Sequence, residues 1–220
     1  MIQILYRDSS LLVCLKPPGV PAQDAPDGGG LPQLLAAQEG GACYPVHRLD
    51  QGVGGVMVLA RTRPAAAALS AVIQSGGFQK DYLCVALGQP EEDQGTWRDL
   101  LLHDRARNKS FVVSRPRAGV KEASLDYRVL VRQPDRALVA VSLHTGRTHQ
   151  IRVQFASRGL PLAGDGKYGG GRGPIALWSA ALAFPHPDSG ERMRFARLPQ
   201  GGIWEELLPL AGLPSRNGEG

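Results

Sequence analysis

The stretch Val46-His47-Arg48-Leu49-Asp50, followed by the glycine-rich residues 51–55, holds the densest group of chemically capable side chains in the chain. The apolar and β-branched run at 55–61 comes directly after it and predicts a buried strand. An acidic residue at the edge of a glycine-rich loop, just before such a strand, is placed at the end of a sheet with backbone groups close by. Taken alone, Arg48 and Asp50 also fit an ordinary turn, and the glycines lack the spacing of a phosphate-binding loop.

A second polar cluster is Gly146-Arg147-Thr148-His149-Gln150-Ile151-Arg152. The segment 148–157 is predicted to be helical, with Thr148 as its N-cap. Cationic side chains would then coincide with the positive end of a helix dipole, which indicates an anion site. The alternative is a solvated helix terminus with a capping threonine. A third element, Lys80-Asp81-Tyr82, begins a predicted strand, where a tyrosine is commonly half-buried packing.

The composition predicts the class of fold. The 220 residues include 28 Gly and 17 Pro, and 43% are hydrophobic, so we expect a real core with many turns and short strands. Strands joined mainly by turns, with a few helices, predict an α+β domain on a large antiparallel sheet. We expect this domain to span residues 1–212, with a disordered tail at 213–220, and the segments 21–30 and 91–109 to be loops that take part in substrate selection.

Charge and cysteine usage narrow the class of partner. The formal net charge of +5 and the pI of about 9.4 favour a polyanion such as nucleic acid, although a merely soluble basic protein is the alternative. Cys14, Cys43 and Cys84 are far apart and match no metal-ligand spacing, which indicates free thiols in a reducing compartment. No apolar run approaches membrane-spanning length. We therefore expect a cytoplasmic protein that does not bind membranes, with a monomer as the default state.

Taken together, these elements resemble the RluA-type family of RNA pseudouridine synthases. The family's His-Arg-Leu-Asp signature, with its following loop, glycine and apolar strand, is matched by residues 47–60. Its Lys-x-Tyr element is similar to Lys80-Asp81-Tyr82, and its Gly-Arg-Thr-His-Gln-Ile-Arg motif is unbroken at 146–152. Its Gly-Asp element with a following Tyr-Gly is found at 164–169. The elements occur in the family's order and extend over residues 2–196.

The resemblance implies a pseudouridine synthase fold, a mixed and mainly antiparallel sheet with flanking helices and loops around a central catalytic cleft. It implies isomerisation of uridine to pseudouridine in ribosomal or transfer RNA without a cofactor. Residue by residue, it implies Asp50 as the nucleophile, Arg152 as the cation paired with it and Tyr82 as the aromatic that lies against the uracil. Arg48 resembles the residue that fills the space left by a flipped nucleotide. Because the first predicted strand begins at residue 2, we expect no separate RNA-binding domain before it.

The chemistry fits these implied roles. The glycosidic bond must break, the base must turn, and a new bond must form through carbon 5. A carboxylate can attack the anomeric carbon or carbon 6 of the ring, and the sequence leaves both open. Either way the acid must stay ionised where water is excluded, and a nearby guanidinium favours the charged form. The target base is unreachable while it is stacked, so it must be extruded.

Other residues are expected to support the site without a chemical step. The candidate phosphate contacts, with ordinary surface charge as an equal alternative, are Lys16, Arg147 and Lys167. The residues expected to brace the site are His47, His149 and Gln150. Asp165 is expected to shape the turn at 164–169 rather than to react.

The chain departs from the family pattern in three places, one of which is Leu15, where Asn commonly precedes the early Lys-Pro. Where members carry Thr-Ser, this chain has Val53-Gly54, and where the late strand reads Leu-His-Ala, it has Leu177-Trp178-Ser179-Ala180. The loss of two hydroxyl groups, with added freedom at Gly54, suggests an alternative hypothesis: a catalytically impaired RNA-binding protein or chaperone that uses the same cleft. A third hypothesis is a carboxylate-nucleophile hydrolase that acts on a free nucleoside.

Overall fold

Within the residues described by this computed structural model, 1–214, the chain forms eleven strands and four helices. None of these helices is long and apolar enough to cross a membrane. The tail predicted at 213–220 lies, from residue 215 onward, outside the described residues. In chain order the elements are β1 (Gln3–Arg7), β2 (Leu11–Lys16), α1 (Leu31–Glu39), β3 (Tyr44–Pro45), β4 (Gly54–Ala60), α2 (Arg63–Gln74), β5 (Gln79–Leu87), β6 (Gln94–Asp104), β7 (Lys109–Val113), β8 (Val120–Gln133), β9 (Arg136–Leu143), α3 (Gln150–Ala156), β10 (Leu177–Pro185), β11 (Arg192–Ala196) and α4 (Ile203–Leu210).

The chain divides into two compact units. The first contains Met1–Lys80 and Trp178–Leu198, and the second contains Asp81–Leu177 and the chain from Pro199 onward. In the first unit β2 pairs antiparallel with β1 and β4, β4 pairs parallel with β10, and β10 pairs antiparallel with β11. In the second unit the order is β5-β9-β8-β6-β7, antiparallel throughout. The prediction of an α+β fold on a mixed, mainly antiparallel sheet is confirmed, and the single-domain boundary at 1–212 stays a prediction.

The first unit forms because β4 is apolar along its whole length. All seven of its residues are buried, as expected for a strand covered on both faces. Helix α2 begins where Thr62 accepts a hydrogen bond from the Ala65 amide, and it buries Ala65 and Leu69, one turn apart. Phe78 and Phe184 stack in the same core with ring centroids 5.2 Å apart. The core thus holds the start of β4, and the loop before it, in a fixed place.

The second unit is built from hairpins that carry α3 on one face. Trp97 of β6 packs against Tyr127 of β8 and Phe155 of α3, with centroid distances of 4.4 and 4.7 Å. Gly95 lies opposite Tyr127, where an added Cβ would meet the phenol ring at 3.0 Å. A glycine inside this strand therefore makes room for an aromatic neighbour.

Two local predictions are wrong. The expected loop at 91–109 contains β6, an eleven-residue strand. Polar residues on its solvent-facing side obscure the alternation of exposed and partly buried residues along the strand. The helix expected from Thr148 begins at Gln150, and its N-cap is His149 in a left-handed conformation, with φ of 56°. The short strands β3 and β11 were not predicted. The three cysteines are free, and Cys14 and Cys84 are buried as expected.

Gly55 tests the packing of β4 against β10. Its φ is +124°, and an added Cβ would overlap the backbone carbonyl of Ser179. We expect Gly55→Ala to lower the free energy of unfolding by about 3 kcal/mol, because both backbone strain and a backbone clash are introduced. Urea denaturation followed by circular dichroism measures the change.

The matched control is Gly76→Ala, at φ of +81° with nothing within 4 Å of the added Cβ. That variant carries only the cost of the left-handed conformation, about 1 kcal/mol. Equal losses for the two variants would contradict the close approach of the strands at Gly55.

Candidate active site

In the first unit, the loop that carries Asp50 is tied to the loop after β2. The Asp50 carbonyl accepts a hydrogen bond from the Val53 amide at 2.9 Å, which closes a turn. The Gly19 amide donates to the Gln51 carbonyl at 2.8 Å, and the Gln51 side chain donates back to the Gly19 carbonyl at 2.9 Å. This reciprocal pair fixes the backbone next to Asp50 without using any side chain of the signature itself.

Lys16 lies underneath this loop and is fully buried. Its ammonium donates to three backbone carbonyls, those of Pro17 (3.0 Å), Val20 (2.8 Å) and Gln51 (3.1 Å). Since an ammonium has three donors, all of them are used. Burial lowers the pKa of Lys16 to about 8, while the Asp50 carboxylate acts in the opposite direction. The prediction that Lys16 contacts phosphate is therefore wrong for this conformation: it is an internal clamp whose charge lies close enough to Asp50 to interact with it.

His47 braces the strand that follows the loop. Its Nε2 accepts a hydrogen bond from the Val58 amide at 3.1 Å, and its ring lies 5.3 Å from that of Phe78. Burial, with a smaller contribution from the Lys80 cation, lowers the pKa of His47 to about 3. A ring that accepts through Nε2 carries its proton on Nδ1, which is buried and has no hydrogen-bond partner among the described residues. The geometry supports bracing rather than contact with RNA.

Arg48 differs from its neighbours in the signature because it is exposed. Its side chain makes no hydrogen bond or ion pair within residues 1–214. This cation, two residues from Asp50 in the chain, is therefore available to contact a ligand.

Two of the three departures from the family pattern meet in the first unit. Trp178 lies opposite Gly54 where β10 pairs with β4, and a Cβ at Gly54 would come within 2.5 Å of the indole and 2.9 Å of Pro18. The indole is held by its hydrogen bond to the Arg197 carbonyl at 2.8 Å. Gly54 is thus required by packing against Trp178, and the expectation that it adds freedom to the loop is wrong. Ser179, also from the altered segment, donates to the Val56 carbonyl at 2.9 Å.

In the second unit, Arg152 of α3 is held by Asp165. The guanidinium donates from Nε and Nη2 to the two carboxylate oxygens, both at 2.7 Å. The side chains are only 11% and 1% exposed, so both charges are largely out of water. Tyr168 places its ring 5.2 Å from the guanidinium carbon, which adds a cation–π contact. The sequence led us to expect only that Asp165 shapes a turn. Its carboxylate also fixes the orientation of a buried cation.

His149 and Gln150 extend this polar interior. His149 lies 3.0 Å from the Tyr168 hydroxyl, which also accepts from the Ser110 amide at 2.8 Å. Gln150 is 3% exposed; its oxygen accepts from the Thr145 hydroxyl at 2.7 Å and the Arg147 amide at 3.0 Å, and its nitrogen donates to the Ser124 carbonyl at 3.1 Å. These contacts support the predicted bracing by both residues. The left-handed backbone at His149 is a strained conformation of the kind that collects at functional sites.

The remaining candidates of the second unit are more exposed, with one exception. Tyr82 is 7% exposed and lies opposite Val141 in the pairing of β5 with β9. Arg147 donates through Nε to the Glu122 carbonyl at 2.8 Å, and its other guanidinium nitrogens make no hydrogen bond within the part of the chain described. Lys167 is exposed and donates to the Asn108 carbonyl at 2.8 Å. Both cations keep donors for an anionic ligand.

Sequence reasoning missed the roles of Asp165 and Tyr168. Their signal was present in the segment 164–169, where an acid and a tyrosine are three residues apart in a glycine-rich turn. The turn closes through the Tyr168 and Gly170 amides, which donate to the Asp165 carbonyl at 3.0 and 2.9 Å. The sequence does not show which residue pairs with Asp165: Arg152 is 13 residues away in the chain, and only the folded chain brings it to this turn.

Comparison with known proteins shows which family the chain is similar to. Residues 10–157 match the RNA pseudouridylate synthase family. The uncharacterised RNA pseudouridine synthase YjbO of Bacillus subtilis is 35% identical over 211 residues, which cover 90% of this chain and 73% of that protein. Ribosomal large subunit pseudouridine synthase C of Escherichia coli is 34% identical over 210 residues, which cover 87% of this chain and 64% of that protein. The human RNA pseudouridylate synthase domain containing 4 shares the fold, with a TM-score of 0.77 and 24% identity over 98% of this chain and 95% of that one.

The two units thus carry the fold and the signature residues of an enzyme class that isomerises uridine in RNA. The chain belongs to the RNA pseudouridylate synthase family, and the resemblance to its RluA-type members is confirmed.

Replacing Asp165 tests the buried ion pair. We expect Asp165→Asn to lower the free energy of unfolding by about 3 kcal/mol, because Arg152 stays buried without its counter-charge. Urea denaturation measures the loss. The control is Asp93→Asn, which removes the carboxylate of an exposed pair with Arg132 and should cost less than about 1 kcal/mol. A loss in Asp165→Asn no larger than in the control would mean that the buried pair contributes no stability.

The depressed pKa of His47 predicts a pH dependence of stability. Below pH 6.5 the unfolded histidine takes up a proton, whereas the folded one stays neutral down to about pH 3. The free energy of unfolding should therefore fall by about 1.4 kcal/mol for each pH unit below 6.5 from this residue alone. In His47→Gln this part of the slope should vanish, as measured by denaturation between pH 4 and 7, roughly the window of that titration. A slope that is retained in His47→Gln would contradict the assignment.

Proposed function

We propose that this protein converts specific uridines of an RNA substrate to pseudouridine, with Asp50 as the nucleophile. Arg152 serves as the cation that keeps the reacting carboxylate charged, and Tyr82 as the aromatic that lies against the uracil. Arg48 fills the space left by the extruded nucleotide, and Arg147 and Lys167 contact phosphates.

The observation that carries the proposal is that Arg152, within its unbroken motif, is buried and ion-paired with Asp165. A buried guanidinium held by both oxygens of Asp165 is expensive to build, since desolvation of two charges costs several kcal/mol that the pair must recover. Such a cation is preorganised: it needs no rearrangement when negative charge develops or must be held nearby. Members of the family need a fixed, permanent cation beside a reactive carboxylate, and arginine meets that need at every physiological pH.

The surroundings of Asp50 support the same proposal. Its loop is fixed by backbone hydrogen bonds and by Lys16, whose ammonium donates to the Gln51 carbonyl. An ionised acid can attack either the anomeric carbon or carbon 6, and it can do so only if water is kept away from the reacting base and sugar. Extrusion of the uridine costs on the order of a few kcal/mol, which contacts such as those of Arg48 and Tyr82 offset.

The alternative of an impaired RNA-binding protein or chaperone rested on the changed loop at Val53-Gly54. Because Trp178 occupies the space that a side chain at Gly54 would need, these two departures compensate each other in packing. Neither changes Asp50, Tyr82 or Arg152. An active enzyme is therefore the better-supported function.

The relative from Escherichia coli is named for the large ribosomal subunit, and we propose ribosomal RNA as the first substrate to test. Transfer RNA is the other candidate. Substrate RNAs of this kind are recognised by shape and by unstacked bases rather than by a readable sequence motif, so a map of pseudouridine in cells with and without the gene identifies the target. The monomeric state and the cytoplasmic location stay predictions.

Substitution of the nucleophile tests the proposal. We expect Asp50→Asn to lower the rate of pseudouridine formation by about 10⁴-fold or more, because an amide cannot form the covalent intermediate. RNA affinity, measured by filter binding, should change by less than about threefold, since phosphate contacts dominate binding. Mass-spectrometric detection of pseudouridine in treated RNA gives the rate.

Asp135→Asn, which removes an exposed turn carboxylate of the same size, is the control and should keep the rate of the wild type. Near-normal turnover by Asp50→Asn would refute the nucleophile. Wild-type protein that binds RNA but leaves no pseudouridine would favour the chaperone, and release of uracil from free uridine would favour the hydrolase.

A further inference from the structure

The second unit contains a cavity of about 310 Å³, and of the residues that line it only Arg147 was given a role above. Its walls come from β6, β7, β8 and the loop that precedes α3. In the paired strands Leu101 lies opposite Lys121, and His103 lies opposite Ser110. Residues directly opposite each other in antiparallel strands project from the same face, and Leu101 and His103 are two residues apart on one strand. The register of three strands therefore brings these four side chains to one concave surface.

The charged side chains that line this cavity are cationic. They are Arg105, Lys121 and Arg147, and none of the lining residues within the described part of the chain is a carboxylate. Arg105 and Lys121 form no ion pair or side-chain hydrogen bond within residues 1–214, and Arg147 uses only its Nε, toward the Glu122 carbonyl. Three permanent cations without an acidic partner in the described structure, gathered in a concave site, focus a positive potential there.

The floor of the cavity is closed and only partly polar. The Ser110 hydroxyl donates to the Thr148 carbonyl at 2.6 Å, which joins β7 to the loop before α3, and His103 lies 3.3 Å from the same hydroxyl. Leu101 is 3% exposed and belongs to a small apolar cluster with Ala123 and Val153. The volume lies at the lower end of the range of about 300–1,000 Å³ for small-molecule pockets. Apolar and histidine surface beneath a cationic rim suits a nucleotide, whose sugar or base can rest below its phosphate.

We propose that this cavity binds a nucleotide of the substrate RNA outside the target uridine, with Arg105, Lys121 and Arg147 around its phosphate. The inference rests on the proposed function for the identity of the polymer. Arg105 and Lys121 are exposed to solvent, and exposed charge pairs contribute little one at a time. A polymer that places phosphates against several cations gains affinity in two ways. It releases its condensed counterions, and after the first contact each further contact forms at a high effective concentration. An RNA chain therefore fits these cations better than a free nucleotide does.

The test compares two double variants with equal changes of charge. Arg105→Gln with Lys121→Gln removes two cations of the cavity. Arg98→Gln with Arg128→Gln removes two exposed cations from β6 and β8, the strands that supply much of the cavity wall. Arg98 is three residues from Leu101 on β6, and Arg128 is seven residues from Lys121 on β8. Because both separations are odd, these two cations project from the opposite face of the sheet. Binding of a uridine-rich single-stranded RNA oligonucleotide is measured by fluorescence anisotropy over a series of salt concentrations, with the full chain.

We expect the cavity pair to weaken RNA binding about tenfold at low salt. Its slope of log affinity against log salt should be shallower by about 1.4, which is about 0.7 for each lost contact with a single strand. The opposite-face pair should lose less than about threefold in affinity. Unchanged thermal unfolding midpoints show that both variants fold. Equal losses in the two pairs would overturn the cavity as an RNA site.

Two further measurements distinguish a failure of this inference from a failure of the proposed function. Titration with uridine 5′-monophosphate tests the free nucleotide: affinity as tight as that for the oligonucleotide would overturn the assignment to an RNA chain. Pseudouridine formation by the wild type tests the proposed function separately. A wild type that makes pseudouridine while the cavity pair binds RNA normally overturns only the cavity. A wild type that makes none, with a selective loss in the cavity pair, supports the cavity as an RNA site and overturns the proposed enzyme.

Discussion

The bidentate ion pair between Arg152 and Asp165 is the contact on which the polar interior of the second unit depends. Two charges that are almost withdrawn from water are stable only if each has a partner in good geometry, and both 2.7 Å hydrogen bonds provide it. Tyr168 covers the guanidinium and in turn receives the Ser110 amide, so β7 is tied to the same group. The pair therefore positions a helix, a turn and a strand at once. Ser110 of that strand also lines the cavity, so the shape of the cavity depends on these elements.

The first unit also contains a buried cation whose charge must be compensated, and there the cation is a lysine. Lys16 is buried beneath the loop of Asp50 with three carbonyl oxygens around its ammonium. Carbonyl dipoles only partly replace water, which is why burial lowers its pKa to about 8. Lysine suits this place because its three donors point in three directions, toward three carbonyls of two loops. Arginine, with its planar fork, suits the carboxylate of Asp165 instead.

The sequence could predict most of the elements and the fold class, since strand and helix periods and turn residues are local properties. It predicted the buried strand β4 and the helix α2, and the hydrogen bonds of His47 and Gln150 support the bracing expected of them. It could not predict β6, because the polar residues on its solvent face conceal a strand that pairs with β7 and β8 and packs Trp97 against its aromatic partners. Nor could it assign Lys16: a lysine beside a glycine-rich loop suggests phosphate contact, and only the fold shows three carbonyls converging on it. Asp165 was given a local role because its partner is on another element.

The contact between Gly54 and Trp178 has a consequence for exchanging parts between relatives. A loop carrying a serine at position 54 could not be transplanted into this chain alone, because its side chain would enter the volume of the indole. Conversely, a smaller residue at 178 with Gly54 retained would leave a gap next to Pro18 and would release the Arg197 carbonyl from its donor. A side chain at position 54 therefore requires a smaller residue at position 178, so a hybrid that takes the loop from such a relative should take the segment around 178 from the same parent.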